Sequence, residues 1–189
     1  MAILVHRYDE PDRFVAGTVG QPGERTFFLQ ARKGNRITSV ACEKQQVSVL
    51  AEHLDRVLDE VRRRSAEAAV PEASANASDT DPLDAPITEE FRVGTMTIAW
   101  DPSIDRIVIE LFSNVDTEED EEPSRTEDEV EADEVFVVKI TAAYARDFVA
   151  RAQALVSAGR PSCPFCLQPV NPDGHICPRA NGYRRPLFS

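Results

Sequence analysis

Apolar and polar residues trade places with a period of two through much of this chain, and with a period near 3.6 in two stretches. Residues 14–19, 26–31 and 37–42 are rich in β-branched and aromatic side chains, with Gln21-Pro22-Gly23-Glu24 and Lys33-Gly34-Asn35 between them as turns. Further on, Met96, Ile98 and Trp100 alternate with Thr95, Thr97 and Ala99. Ile107, Ile109 and Leu111 then oppose Val108, Glu110 and Phe112, and Phe136, Val138 and Ile140 close the set. Successive side chains of a strand leave opposite faces, so this period predicts half-buried antiparallel strands.

Two helices are predicted. Val47, Leu50, Leu54, Val57, Leu58 and Val61 form one apolar stripe over residues 44–64. A second helix over 142–158 carries Tyr144, Phe148, Ala152, Leu155 and Val156, with Thr141 as its N-cap. Gly159 is expected to end it in the left-handed conformation, and Pro161 prevents it from resuming. The order is strands then helix, twice, and Phe14-Val15-Ala16-Gly17-Thr18 matches Phe91-Arg92-Val93-Gly94-Thr95 in spacing, as a duplication would leave it. The expected fold is α+β over residues 1–159: antiparallel sheet or sheets with two helices packed on them.

Two stretches read as unable to pack and are expected to be disordered loops, at about 66–88 and 115–133. The first is Ala, Ser, Asp and Pro with little apolar content, and the second is an acidic run read as a solvated insertion. The formal charge of −12 is therefore local: residues 115–134 hold twelve carboxylates and Arg125, net −11, leaving −1 elsewhere. Residues 160–189 run the other way, with four arginines against Asp173, net +3. No stretch approaches the roughly 20 apolar residues that span a bilayer, and the opening MAILVHRYDE does not read as a signal peptide. A cytoplasmic protein is the expectation, where thiols stay reduced and clustered cysteines suggest metal binding over disulfides.

Three of the four cysteines and one of the three histidines fall in CPFCLQPVNPDGHIC, residues 163–177. Cys163 and Cys166 share a tight turn. His175 and Cys177, two apart, point to the same side of an extended backbone, and Asn171-Pro172-Asp173-Gly174 is turn-rich enough to bring the pairs together. Three thiolates and an imidazole suit tetrahedral Zn²⁺, with iron as the other candidate. Because all four positions are protein donors, the ion is read as structural; a catalytic zinc keeps one open for water. Residues 160–189 thus form a zinc knuckle with a basic tail, in which Arg179, Tyr183, Arg184 and Arg185 are candidates for anion or partner binding. Cys42 reads as a small buried hydrophobe, and His6 and His53 as plain surface or edge residues.

RFVAGTVGQPGERTFFLQA at 13–31, EKQQ at 43–46 and the C-terminal CPFC…HICPRANGYRR together resemble a bacterial family of unknown function. The resemblance implies a cytoplasmic protein with a terminal Cys/His cluster, and no activity, substrate or partner.

No nucleophile elbow, P-loop, dinucleotide glycine motif or HExxH is present, so no catalytic residue is assigned. Glu43 and Glu110 lie in or beside strands, where carboxylates are common without chemistry. The reading favoured is a non-catalytic zinc-binding adaptor with an unknown protein partner and no membrane role. The alternatives are a small enzyme acting on a phosphorylated or nucleotide ligand through the tail arginines, and a nucleic-acid accessory factor.

Overall fold

The computed structural model describes residues 3–65, 69–74, 76–114, 132–170 and 174–179. Seven strands and two helices follow in the order β1 (Leu4–Tyr8), β2 (Arg13–Val19), β3 (Thr26–Lys33), β4 (Arg36–Cys42), α1 (Lys44–Arg64), β5 (Glu89–Asp101), β6 (Arg106–Ser113), β7 (Glu134–Ile140) and α2 (Ala142–Ser157). The fold is α+β, and the expected strands and helices are present. The run β2–β3–β4–α1 is repeated as β5–β6–β7–α2.

The sheet is mixed, which corrects the antiparallel expectation. Its order is β1-β7-β6-β5-β4-β3-β2. Each half is an antiparallel meander, but β4 pairs with β5 in parallel and β1 pairs with β7 in parallel. The β4–β5 connection includes a whole helix, long enough for the crossover that parallel neighbours require. Alternation along a strand reports which face is buried and is silent on the direction of the neighbour.

The sheet curls until its far ends share one core. Phe14 of β2 stacks on Phe148 of α2 (centroids 4.7 Å, 7° between planes) and meets Phe136 of β7 edge-on at 6.2 Å. Tyr8 of β1 meets the same Phe136 edge-on at 5.6 Å. Each such aromatic contributes about 1.5–3 kcal/mol through burial, and edge or offset geometry suits the ring quadrupoles. From the helices, Leu50, Leu54 and Leu58 of α1 and Ala145 and Ala152 of α2 fill the same core.

Helix α1 is tied to the second half at its start. The Glu43 N–H donates to Gln46 Oε1 at 2.8 Å, and Gln46 Nε2 donates to the Val93 and Gly94 carbonyls of β5. In α2 the Thr141 hydroxyl accepts the Tyr144 N–H at 3.1 Å, the expected N-cap. Its other end differs from expectation. Gly159 is not left-handed; Ala158 takes φ −70°, ψ 66°, and the Gly159 N–H donates to the Ser157 carbonyl at 2.7 Å. That is an inverse γ-turn, which any residue can form.

The stretch after α1 also corrects the reading that it packs on nothing. Residues 69–74 and 76–88 contain no helix or strand, yet they form a strap across the outer face of β2–β3–β4. Asp84 exchanges backbone bonds with the buried Gln30 side chain, accepting from Nε2 at 2.9 Å and donating to Oε1 at 2.8 Å. Leu83 covers Gly17 so closely that a Cβ there would lie 2.5 Å from it. Arg146, 3% exposed, binds the Pro71 carbonyl and the Asp55 and Asp59 carboxylates, joining strap, α1 and α2. Composition missed the strap because, beyond Val70 and Leu83, its contacts are polar: carboxylates and carbonyls on buried guanidiniums. Of the second expected loop, residues 115–131 lie outside the described residues. Among the described residues, no helix is long and apolar enough to cross a membrane.

Candidate metal centre

A short hairpin positions the first two donors. Ser162 and Pro169 form a bridge, the Cys163 N–H donates to the Gln168 carbonyl at 2.8 Å, and the Leu167 N–H returns to the Cys163 carbonyl at 2.9 Å. Leu167 stands at φ 62°, left-handed, which lets the chain reverse directly after Cys166. Pro164 between the cysteines supplies a fixed φ and no N–H, so the backbone donors near the sulfur come from the residues after it. The second pair follows Gly174, at φ 93°, a conformation open to glycine.

The four ligand atoms of Cys163, Cys166, His175 and Cys177 all lie within 4.8 Å of one another, close enough to hold one metal ion. Cys163 Sγ is 3.8 Å from Cys177 Sγ, and Cys166 Sγ is 3.2 Å from His175 Nε2. Cys163 and Cys177 are buried. The Cys166 and Phe165 backbone N–H groups point at Cys163 Sγ and hold its thiol below the ordinary value, as a thiolate ligand requires. For Cys166, the Gln168 N–H pulls the thiol down, but burial and the neighbouring sulfurs outweigh it and leave the thiol raised. Cation binding would reverse that crowding, since ligand thiols deprotonate on coordination.

The remaining candidates fall apart from this cluster. Arg179 lies beside it, with Nη1 donating to the Phe165 carbonyl at 3.2 Å and linking the two ligand-bearing segments. Tyr183, Arg184 and Arg185, and residues 171–173 of the expected turn, lie outside the described residues. Cys42 is buried in the main core, and burial pushes its thiol up to about 12. His53 is exposed. His6 lies in the edge strand β1, as expected, and its Nε2 is 2.7 Å from Glu134 Oε2 across the β1–β7 pair. Glu43 accepts from Arg92 at 3.0 Å, and Glu110 accepts from the Thr97 hydroxyl at 3.0 Å, so both have structural partners.

Sequence reasoning missed a groove of about 830 Å³ between strap and α2, lined in part by Arg13, Arg32, Asp79, Asp84 and Tyr144. No local motif announces it, because its walls come from four separate parts of the chain. Its cations are already engaged: Arg13 by Asp79 and Asp84, and Arg32 by Asp84.

Compared with known proteins, the chain matches one family model, described as a protein of unknown function (DUF3090), over residues 6–177. That span includes all four donors and stops short of Tyr183, Arg184 and Arg185. No curated protein and no solved structure matches.

Proposed function

The chain belongs to the DUF3090 family, for which no function is described, and from its own residues we propose that it is a non-catalytic, zinc-binding adaptor. The observation that carries this is the convergence of four donors within 4.8 Å. Zinc suits the set by chemistry, and one sulfur pair has its spacing. With Zn–S near 2.3 Å and tetrahedral angles, two sulfurs stand roughly 3.8 Å apart, and the Cys163 and Cys177 sulfurs are separated by 3.8 Å. Four protein donors leave no position for a substrate or water, which favours a structural ion. Cys163, Cys166, His175 and Cys177 would hold it, and it would supply folding energy to a segment with almost no core of its own. A partner protein is then recognised by the surface the knuckle presents, including Arg179 and the tail residues Tyr183, Arg184 and Arg185.

The enzyme alternative is supported less well. Of its expected anion clamp, Arg179 already donates to the Phe165 carbonyl, and the groove's arginines are neutralised by the chain's own carboxylates. The nucleic-acid alternative rests on a few arginines, a small footprint for polyanion binding.

Elemental analysis of protein purified under reducing conditions is the direct test, with about one zinc per chain expected. Cys166→Ser should lose the ion while the sheet domain keeps its melting transition. Protein with no zinc overturns the reading, and so does iron in its place.

A further inference from the structure

Three large apolar side chains stand out of the knuckle: Phe165 is 60% exposed, Leu167 75% and Ile176 84%. Each neighbours a donor in the chain, while the donors Cys163 and Cys177 are buried. The segment therefore turns its sulfurs inward and its hydrophobic side chains outward, the reverse of what burial of apolar surface favours. Leu167 adds a second cost. A left-handed φ disfavours an L-residue relative to glycine, and here it carries a leucine into solvent. The contact of Cys166 with His175 and the bond from Arg179 to the Phe165 carbonyl set the two apolar-bearing segments side by side.

We propose that Phe165, Leu167 and Ile176 form a docking surface for an acidic amphipathic helix of a partner protein. The proposal rests on the zinc-adaptor reading, because the ion would hold both segments in place before the partner arrives and so reduce the entropy lost on binding. Charge complementarity names the partner's sign. Described knuckle residues 160–170 and 174–179 include two arginines and no carboxylate, and the Arg179 guanidinium is fixed beside Phe165. Backbone chemistry names its conformation. The Cys163, Leu167 and Val170 N–H groups are all bonded inside the hairpin, so the hairpin offers little to a pairing strand. A helix satisfies its own backbone and presents apolar side chains at i, i+3 and i+4. A second copy of the knuckle would instead set arginine against arginine. Single-stranded nucleic acid stacks on aromatic faces, and two of these three side chains have none.

The test uses full-length, zinc-loaded, ¹⁵N-labelled protein titrated with an 18-residue Leu/Glu amphipathic peptide, its Leu/Lys counterpart and a 12-nucleotide single-stranded RNA. Zinc is measured in every sample. The Leu/Glu peptide should shift the amides of residues 165–167 and 176–179 saturably. Binding should weaken at least tenfold in Phe165→Ser/Leu167→Ser/Ile176→Ser. If that variant fails to hold zinc, Ile176→Ser alone carries the comparison, with at least threefold weakening expected. Zinc present but no shift with Leu/Glu overturns the docking surface alone, as do equal binding of Leu/Lys, a response to RNA only, or self-association that shifts the same amides on dilution. Absence of zinc from the wild type overturns the adaptor reading itself.

Discussion

Arg13 and Asp79 meet in a two-pronged pair, Nε to Oδ2 at 2.6 Å and Nη2 to Oδ1 at 2.9 Å. The remaining donors of Arg13 go to Asp84 Oδ2 and to the Pro82 and Asp81 carbonyls, so all five N–H groups have acceptors in the strap. The buried Arg13 guanidinium, on a side chain only 9% exposed, is tolerable because its fork is fully matched. Asp79 also accepts from Arg151 of α2 at 2.9 Å, which makes it the joint between β2, strap and α2.

Asp79→Ala should therefore destabilise the protein by about 2–3 kcal/mol, below the range for a fully buried pair because Asp79 is partly exposed. Its bond from Arg13 holds the Asp79 carboxyl below the ordinary value in the folded state. Between the folded value and the unfolded one, near 4, the unfolded chain binds the extra proton, so stability rises with pH there. The wild-type advantage over Asp79→Ala should be full above about pH 4 and shrink as pH falls through the depressed folded value. Urea melts of both proteins across pH 2.5–7 check this; a pH-independent gap would falsify the assignment.

Gly17 lies under Leu83 with no room for a methyl group. Gly17→Ala should cost about 1–3 kcal/mol by overpacking, and Leu83→Ala made in the same chain should return part of that loss. A double-mutant cycle measured by thermal melting gives the coupling. Purely additive effects would mean that the strap yields freely.

The edge of β2 is closed by α2: the Tyr144 hydroxyl accepts the Phe14 N–H at 2.7 Å, and Arg151 Nε donates to the Ala16 carbonyl at 2.8 Å. Tyr144→Phe should lower stability by about 1–2 kcal/mol, since it leaves the edge amide without a partner. Tyr144→Phe/Arg151→Met should in addition promote strand-edge association. Light scattering during mild heating, compared with wild type, reads that out.

The four cysteines should separate into two classes of reactivity. With metal bound, a thiol reagent should find almost none. After chelation, Cys163, Cys166 and Cys177 should react, and Cys42 should wait for global unfolding, because it is buried and its thiol is pushed up to about 12. Reaction of all four on chelation alone would show that the knuckle and main core unfold together.

How far these features can be read from the residues depends on the distance over which they act. Strands β2 to β7 and both helices were legible because hydrophobic period is local. The metal donors were legible because all four fall within residues 163–177. Strand β1 was not: among its residues only Tyr8 is buried, and its partner β7 lies far along the chain. The strap was not, because Asp79 and Asp84 look like solvated residues until Arg13 is placed beneath them. Nor does a sequence distinguish Leu167, on the surface, from Leu29, in the core.

The pairing of β1 with β7, and the sealing of β2 by α2, also bear on how the protein is made. Leu4 finds its register opposite Glu134, and Ala16 receives its cap from Arg151. A ribosome adding about 5–20 residues each second leaves the amino-terminal strands without these neighbours until β7 and α2 have emerged. The first meander can begin to form early but cannot close. Nascent chains stalled near residue 130 should therefore be cut readily by protease within the first meander, and chains released at full length should resist. Closure of the sheet domain therefore waits on β7 and α2.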